Sequence, residues 1–310
     1  MNAKTKMFSF MIIGLVLLSA CGLQPTATPL AAATVDPASQ NQGGNTGSIW
    51  PQSALDPLPA EAQRVEFQAE DGTQLVGRYY PAKANPAPVV VLMHWAGGSM
   101  TDWERVGMVA WLANRSGALP DPVFASQTGG RFDTPYGFPV MPGALSFNVF
   151  IFDFRNFGES EQFPGESFAD LAPGWLMDAR AAYAVARTLP GADANRVVGI
   201  GASIGADAVV DACGDGCIGA FSISPGDFLA VEYRQAVRSA GQTGRQVWCV
   251  ASVDDPASAQ ACQGADAPFY RQFIYNRGGH GMELFMMETN LRPSLGQYLL
   301  DFLIQVFGIS

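Results

Sequence analysis

Apolar and polar residues alternate along Arg64–Gln68 and again along Thr73–Tyr80, with Glu70-Asp71-Gly72 between the two runs. Period-two alternation puts one face of a strand on a core and the other in water, and the turn residues reverse the chain, so this stretch predicts a β-hairpin. Beyond residue 88 the pattern changes. Val89–Met93, Phe147–Phe152, Arg196–Ile200, Ile218–Ile223, Gln246–Ala251 and Gln272–Tyr275 are short, nearly continuous apolar runs, the signature of strands buried on both faces. Helical patterns separate several of them. One begins at Thr101-Asp102-Trp103-Glu104, with the look of a capping box, and runs to about Asn114. Others cover Pro173–Leu189, Ala206–Ala212 and Pro293–Phe307. Strands alternating with helices predict an α/β domain over 61–310, a doubly wound and mostly parallel sheet preceded by the hairpin.

Arg115–Ser146 is a long Gly/Pro/aromatic stretch between the first long helix and the next strand. A stretch of this size inside a compact domain is either a lid or binding loop, or an ordered excursion that covers the core, and the sequence leaves both open.

The first sixty residues lack this periodicity. Lys4 and Lys6 precede an apolar run, Phe8–Leu18, too short for a comfortable membrane span, and Leu18-Ser19-Ala20-Cys21 follows. Small residues before a cysteine at that distance resemble a bacterial lipobox, in which Cys21 is acylated and becomes the mature N-terminus; an ordinary secretory signal cut near Ala20 or an uncleaved anchor are the other readings. Residues 1–20 are accordingly expected to be a signal peptide. Residues 21–60, rich in Pro, Thr, Ala, Gly, Asn and Gln, are expected to be a flexible tether to a lipid anchor at the cell envelope.

Composition narrows the partners. Hydrophobic residues make up 48% of the chain and charged residues only 15%, which suits a folded core rather than disorder. The net charge of −10 argues against nucleic acid and against docking on an anionic membrane through basic residues. Nothing in the pattern calls for an obligate protein partner. Of five cysteines, Cys21 is assigned to the lipid, and the remaining four suggest two disulfides in an exported protein. Local pairing, Cys213 with Cys217 and Cys249 with Cys262, is the expected connectivity. Metal binding at Cys213 and Cys217 is the weaker reading, because no His or Cys cluster accompanies them.

The candidate chemistry centres on Gly201-Ala202-Ser203-Ile204-Gly205, between the apolar run ending at Ile200 and small, helix-compatible residues. A G-x-S-x-G element joining a strand to a helix can form a nucleophile elbow: the serine occupies a strained turn, and glycines let the neighbouring backbone pass close by. The plainer reading is a Gly-rich connection. A serine nucleophile needs a base, and the chain holds two histidines. His280 follows the last strand in a Gly-rich loop. His94, at the end of Val89–Met93, reads as a loop-fixing residue, as do Asp153 and Arg155 in their turn. Asp254 and Asp255 end the strand before His280, so serine, aspartate and histidine fall in one order at the carboxyl ends of strands.

Taken together, Leu92–Gly98, Asp153–Ser160, Gly201–Gly205, Ser224-Pro225-Gly226, Ala251–Pro256 and Gly279-His280-Gly281 resemble the α/β-hydrolase superfamily, and in detail its dienelactone-hydrolase-like branch. The resemblance covers residues 64–307 and is informative about fold and machinery, not about substrate. It implies that Ser203 is the nucleophile, His280 the base and an aspartate after the seventh strand the acid. Asp255, directly before Pro256, suits the family spacing better than its rival Asp254. The oxyanion donors it implies are the backbone N–H groups of Ile204 and Ala96, with Trp95 as the rival for the second. The sequence departs from the family where many relatives have His-Gly: here Trp95 follows His94, so a bulky side chain is expected to narrow the acyl pocket or shift the hole. Serine also stands where the branch often has cysteine. The function this implies is hydrolysis of small carboxylic esters without cofactor or metal. A peptidase or amidase on the same three residues, and a non-catalytic envelope-binding lipoprotein, are the alternatives.

Overall fold

The computed structural model describes residues 62–115, 138–229, 231–286 and 291–309, together with the backbone of a short strand, Thr34–Asp36. The expected signal peptide at 1–20 and the lipidation site Cys21 lie outside these residues. So does most of the expected tether.

Among the described residues nine strands form one sheet. In chain order they are β1 (Thr34–Asp36), β2 (Gln63–Gln68), β3 (Gln74–Tyr80), β4 (Ala87–Met93), β5 (Asn148–Phe152), β6 (Ala192–Ala202), β7 (Cys217–Ile223), β8 (Gln246–Ser252) and β9 (Tyr270–Tyr275). Their order across the sheet is β1-β2-β3-β5-β4-β6-β7-β8-β9. β5, β4, β6, β7, β8 and β9 run parallel, and β1, β2 and β3 form an antiparallel flank. The expected hairpin is β2–β3. Its edge differs from expectation: Thr34–Asp36, inside the stretch read as a tether, pairs with Arg64–Glu66. Three residues carry no detectable periodicity, and this is why the pattern missed them.

Helices α1 (Thr101–Arg105), α2 (Met108–Ala113), α3 (Phe168–Ala186), α4 (Ile204–Asp211), α5 (Tyr233–Gln242), α6 (Pro256–Gly264), α7 (Glu283–Met286) and α8 (Leu295–Phe307) cover both faces of the sheet. One face packs on Leu171, Ala179, Val209 and Val237; the other on Trp103, Trp111, Leu299 and Leu303. A sheet buried on both faces explains the continuous apolar runs of its central strands.

Two helices differ from their sequence reading. The stretch from Thr101 is broken into α1 and α2, because Gly107 takes φ +77° between them, and Met100 rather than Thr101 stands at the start with no side-chain cap. α3 begins five residues before Pro173. Ser167 and Asp170 form a reciprocal capping box that starts the helix, leaving Pro173 in its interior. Proline at that position lacks the N–H that would reach the carbonyl of Ala169, which is why it looked like a first turn.

Of the long 115–146 stretch, residues 116–137 lie outside the described residues. Its C-terminal part is fastened to the core: Trp111 Nε1–H donates to the Pro139 carbonyl at 2.8 Å, and Asn114 donates to the Leu145 carbonyl at 2.7 Å. The two expected disulfides are present as local pairs, Cys213–Cys217 and Cys249–Cys262.

Candidate active site

The elbow follows from close backbone approach. β6 delivers Gly201 beside the first turn of α4, and a Cβ on Gly201 would stand 2.0 Å from the Gly205 carbonyl oxygen. A Cβ on Gly205 would stand 2.2 Å from the Met93 carbonyl oxygen, so the second glycine brings α4 against the end of β4. Between them Ser203 is held at φ 54°, ψ −117°, a conformation that non-glycine residues rarely adopt. Its N–H donates to the Ile223 carbonyl at 2.9 Å, and its carbonyl accepts from Ala206 N at 2.8 Å, so the turn is locked on both sides.

His280 arrives from the loop after β9 and Asp255 from the end of β8. His280 Nδ1 lies 2.7 Å from Asp255 Oδ2, and His280 Nε2 lies 2.8 Å from Ser203 Oγ. The carboxylate can only accept, so Nδ1 carries the proton and Nε2 is left to accept from the serine hydroxyl. The side chains become more exposed from Asp255, 13%, to His280, 33%. His280 is steadied through its backbone as well, since its N–H donates to Glu283 Oε2 at 2.8 Å.

The two neighbouring aspartates separate cleanly. Asp255 Oδ1 caps α6 by accepting from Ser258 N at 3.4 Å while Oδ2 faces His280. Asp254 does not face the histidine. It accepts from the backbone N–H groups of Gly278 and Gly279, both at 3.2 Å, and from the Ser252 hydroxyl. That hydroxyl, with the two amides, holds the Asp254 carboxyl below its ordinary range. The rival Asp254 therefore shapes the loop that carries His280.

His94 is fully buried and away from the serine. Its Nε2 accepts from Phe154 N at 3.1 Å, so Nδ1 is protonated and donates to the Trp95 carbonyl at 2.7 Å. Burial pushes its basicity down, keeping it neutral in this role. The Trp95 carbonyl also accepts from Gly98 N at 3.3 Å. In a trans peptide the N–H points opposite to the carbonyl, so with the Trp95 carbonyl turned into its own loop, Ala96 N–H faces out of it. Ile204 is the first residue of α4, where a helix leaves its N–H without an intrahelical partner. Asp153 and Arg155 act as expected on structure: Asp153 accepts from Met100 N and Glu159 N, and Arg155 spans Asp71 and Asp178.

Sequence reasoning missed Asp207 and Phe228. Asp207, one turn after Ser203, is 2% exposed and accepts from Gly226 N at 3.2 Å and Phe228 N at 2.6 Å. Its signal was a carboxylate inside an apolar run, Ile204–Val210. The Phe228 ring meets His280 edge to face, centroids 5.8 Å apart. Among the described residues, no group of three or more His, Cys, Asp or Glu is placed to hold a metal ion, and no helix is long and apolar enough to cross a membrane.

No family model matches the chain. It is 29% identical over 162 residues to the uncharacterized protein YfhR of Escherichia coli K12, covering 52% of this chain and 44% of that protein. YfhR of Salmonella typhi is 29% identical over 168 residues, with 53% and 44% covered. The match thus spans less than half the length of these relatives. Among solved structures, the esterase Pf2001 of Pyrococcus furiosus aligns with TM-score 0.55 at 14% identity, over 83% of this chain and 96% of that one. The α/β hydrolase GrgF of Penicillium sp. sh18 aligns with TM-score 0.56 at 12% identity, over 80% and 100%. Acetyl xylan esterase 1 of Thermoanaerobacterium sp. JW/SL YS485 aligns with TM-score 0.51 at 15% identity, over 84% and 86%. With the sheet order and the strand–elbow–helix connection at Ser203, these likenesses establish the architecture: the chain has the α/β-hydrolase fold.

Proposed function

We propose that this protein is a serine hydrolase that cleaves carboxylic esters, with Ser203 as nucleophile, His280 as base and Asp255 as the acid that orients it. The observation that carries this reading is the continuous hydrogen-bond path from Asp255 Oδ2 through both ring nitrogens of His280 to Ser203 Oγ. The fold's likeness to two esterases supports it. So does the strained backbone of Ser203, a feature that clusters at functional sites.

In the proposed reaction His280 Nε2 takes the hydroxyl proton as Ser203 Oγ attacks the ester carbonyl carbon. The negative oxygen of the tetrahedral intermediate is held by Ile204 N–H and Ala96 N–H, each such donor contributing about 3 kcal/mol. The orientation of the Trp95–Ala96 peptide favours Ala96 over Trp95 as the second donor. The intermediate collapses, the alcohol leaves with the proton from His280, and Ser203 is left acylated. Water, deprotonated by His280, then attacks the acyl-enzyme, releasing the carboxylic acid and returning the proton to Ser203. Asp255 stabilises the imidazolium formed in each half. The resemblance to the dienelactone-hydrolase-like branch belongs to this reading, carried by the six landmarks in the chain.

The proposal extends to place. The leader at 1–20 and Cys21 suit an exported, lipid-anchored protein, and two disulfides suit an oxidising compartment. Radiolabelled palmitate incorporated in the wild type and absent from Cys21→Ser tests the anchor. For the chemistry, p-nitrophenyl acetate should be hydrolysed by the wild type with a pre-steady-state burst of p-nitrophenolate. Ser203→Ala should lose both burst and turnover; a variant that retained them would remove Ser203 from the mechanism.

A further inference from the structure

We propose that Trp95 and Phe228 are specificity-determining residues that restrict the Ser203 site to short acyl groups, and that Asp102 and Asp207 are positioning residues, the first holding the indole and the second the backbone segment that carries Phe228. The inference rests on the serine-hydrolase reading and names the substrate class within it.

Trp95 is clamped at its Nε1 edge. Its indole Nε1–H donates to Asp102 Oδ2 at 2.9 Å. Asp102 sits in α1, is 7% exposed, and also accepts from Arg105 at 2.8 Å. Gly98 makes room for the clamp, since a Cβ there would stand 1.7 Å from Asp102 Oδ2 and 2.6 Å from Trp95 Nε1. The opposite side of the indole, at Cε3, approaches Gly281. The point where a Cβ on Gly281 would stand is 3.2 Å from Trp95 Cε3 and 3.7 Å from Ser203 Cβ. The indole and the serine side chain therefore flank one glycine, the residue directly after His280.

Phe228 is held by a different route. Its N–H and that of Gly226 donate to the two oxygens of Asp207. Asp207 N in turn lies 3.3 Å from the Ser203 carbonyl oxygen. The helix turn that presents the nucleophile thus anchors the segment that carries Phe228. The ring folds back over Gly226, where a Cβ would stand 2.4 Å from Phe228 Cζ, and its edge-to-face contact with His280 puts it against the base.

The indole and Ser203 flank Gly281, the phenyl ring meets His280 edge to face, and the segments that carry the two rings are tied to buried carboxylates, Asp102 in α1 after β4 and Asp207 in α4 after β6. Neither ring presents a free polar group, because the indole N–H is spent on Asp102. The site therefore selects by space rather than by hydrogen bonding. An acetyl or propionyl group passes between the rings. A long chain has to displace one of them: moving the indole takes a donor from the buried Asp102 carboxylate, and moving the Phe228 ring gives up its edge contact with His280.

The test compares kcat/KM for p-nitrophenyl acetate and p-nitrophenyl octanoate, which share a leaving group. The wild type should prefer acetate by about 100-fold, the scale on which packed apolar pockets discriminate. Trp95→Ala and Phe228→Ala should each reduce that preference by about 10-fold or more, and Asp207→Asn and Asp102→Asn should move it the same way by less. Labelling by a fluorophosphonate reports whether each variant retains its elbow; should an alanine variant fail to fold, Trp95→Phe and Phe228→Leu should give intermediate ratios. A wild type that prefers octanoate, or a ratio unmoved in all ring variants, overturns the proposal and leaves the serine-hydrolase reading standing. A wild type that neither labels nor turns over either ester overturns both.

Discussion

Asp254 and Asp255 are adjacent in the chain and serve opposite ends of one loop. Asp255 Oδ2 faces the His280 ring at 2.7 Å, whereas Asp254 gathers the backbone N–H groups of Gly278 and Gly279, the two residues just before His280. One orients the imidazole; the other shapes the turn that delivers it. Asp255→Asn should leave the ring in place but favour the wrong tautomer, lowering kcat by about 10⁴. Asp254→Asn should weaken the turn and lower kcat by about 10-fold, with a fall in melting temperature. Steady-state kinetics and thermal melts of the two variants separate these effects.

The elbow glycines are matters of contact. Gly201→Ala and Gly205→Ala each drive a methyl into a backbone carbonyl, at 2.0 Å and 2.2 Å, which a side-chain rotation cannot relieve. Each should destabilise the fold by on the order of 3 kcal/mol. Gly143→Ala has nothing within 4 Å of the new methyl and should be neutral within about 0.5 kcal/mol. Urea denaturation of the three variants checks the contrast.

The two disulfides should differ in weight. Cys249–Cys262 closes a separation of 13 residues and Cys213–Cys217 one of 4. Chain entropy assigns them about 3 and about 2 kcal/mol respectively. The longer one also ties β8 to α6, with Asp255 between the two cysteines. Cys249→Ala with Cys262→Ala should therefore lower both stability and kcat, and Cys213→Ala with Cys217→Ala stability alone. Denaturation and kinetics on the paired variants test this.

Asp207 makes stability pH-dependent with a defined sign. Burial pushes its carboxyl up to about 7 from an ordinary 3.8, against the pull of Phe228 and Gly226 N–H, and Asp227 and Asp211 add to the rise. Between those two values the unfolded chain has released the proton and the folded one has kept it. The Asp207 contribution is therefore greatest below about pH 4 and is lost as pH rises towards 7. Asp207→Asn removes that slope. The stability of the wild type minus that of the variant should decline from pH 4 to pH 7, as measured by urea melts; a difference that rises over this window contradicts the assignment.

The parts of this fold that were legible from the chain are those enforced by local contact or by burial on two faces. Gly201 and Gly205 are readable because nothing larger fits between β6, α4 and β4. The central strands are readable because both of their faces are covered. Spacing before Pro256 favours Asp255 over Asp254, but only the direction in which each side chain leaves the end of β8 puts Asp255 against His280 and Asp254 against Gly278 and Gly279. Asp207 was invisible for a related reason: its partners, Gly226 and Phe228, lie far along the chain, and helical periodicity sees only a short, mostly apolar helix with two aspartates. The sequence reading starts the helix at Pro173, a common first-turn residue, whereas in the structure the Ser167–Asp170 box starts α3 at Phe168. β1 is too short to have a pattern at all.

The central claim is that the Ser203 hydroxyl is activated by His280. The most direct measurement is mass spectrometry of the protein after exposure to a fluorophosphonate. The account predicts a single adduct on the peptide carrying Ser203, absent in Ser203→Ala and strongly slowed in His280→Ala. An unlabelled wild type, or labelling that persists unchanged in either variant, would contradict it.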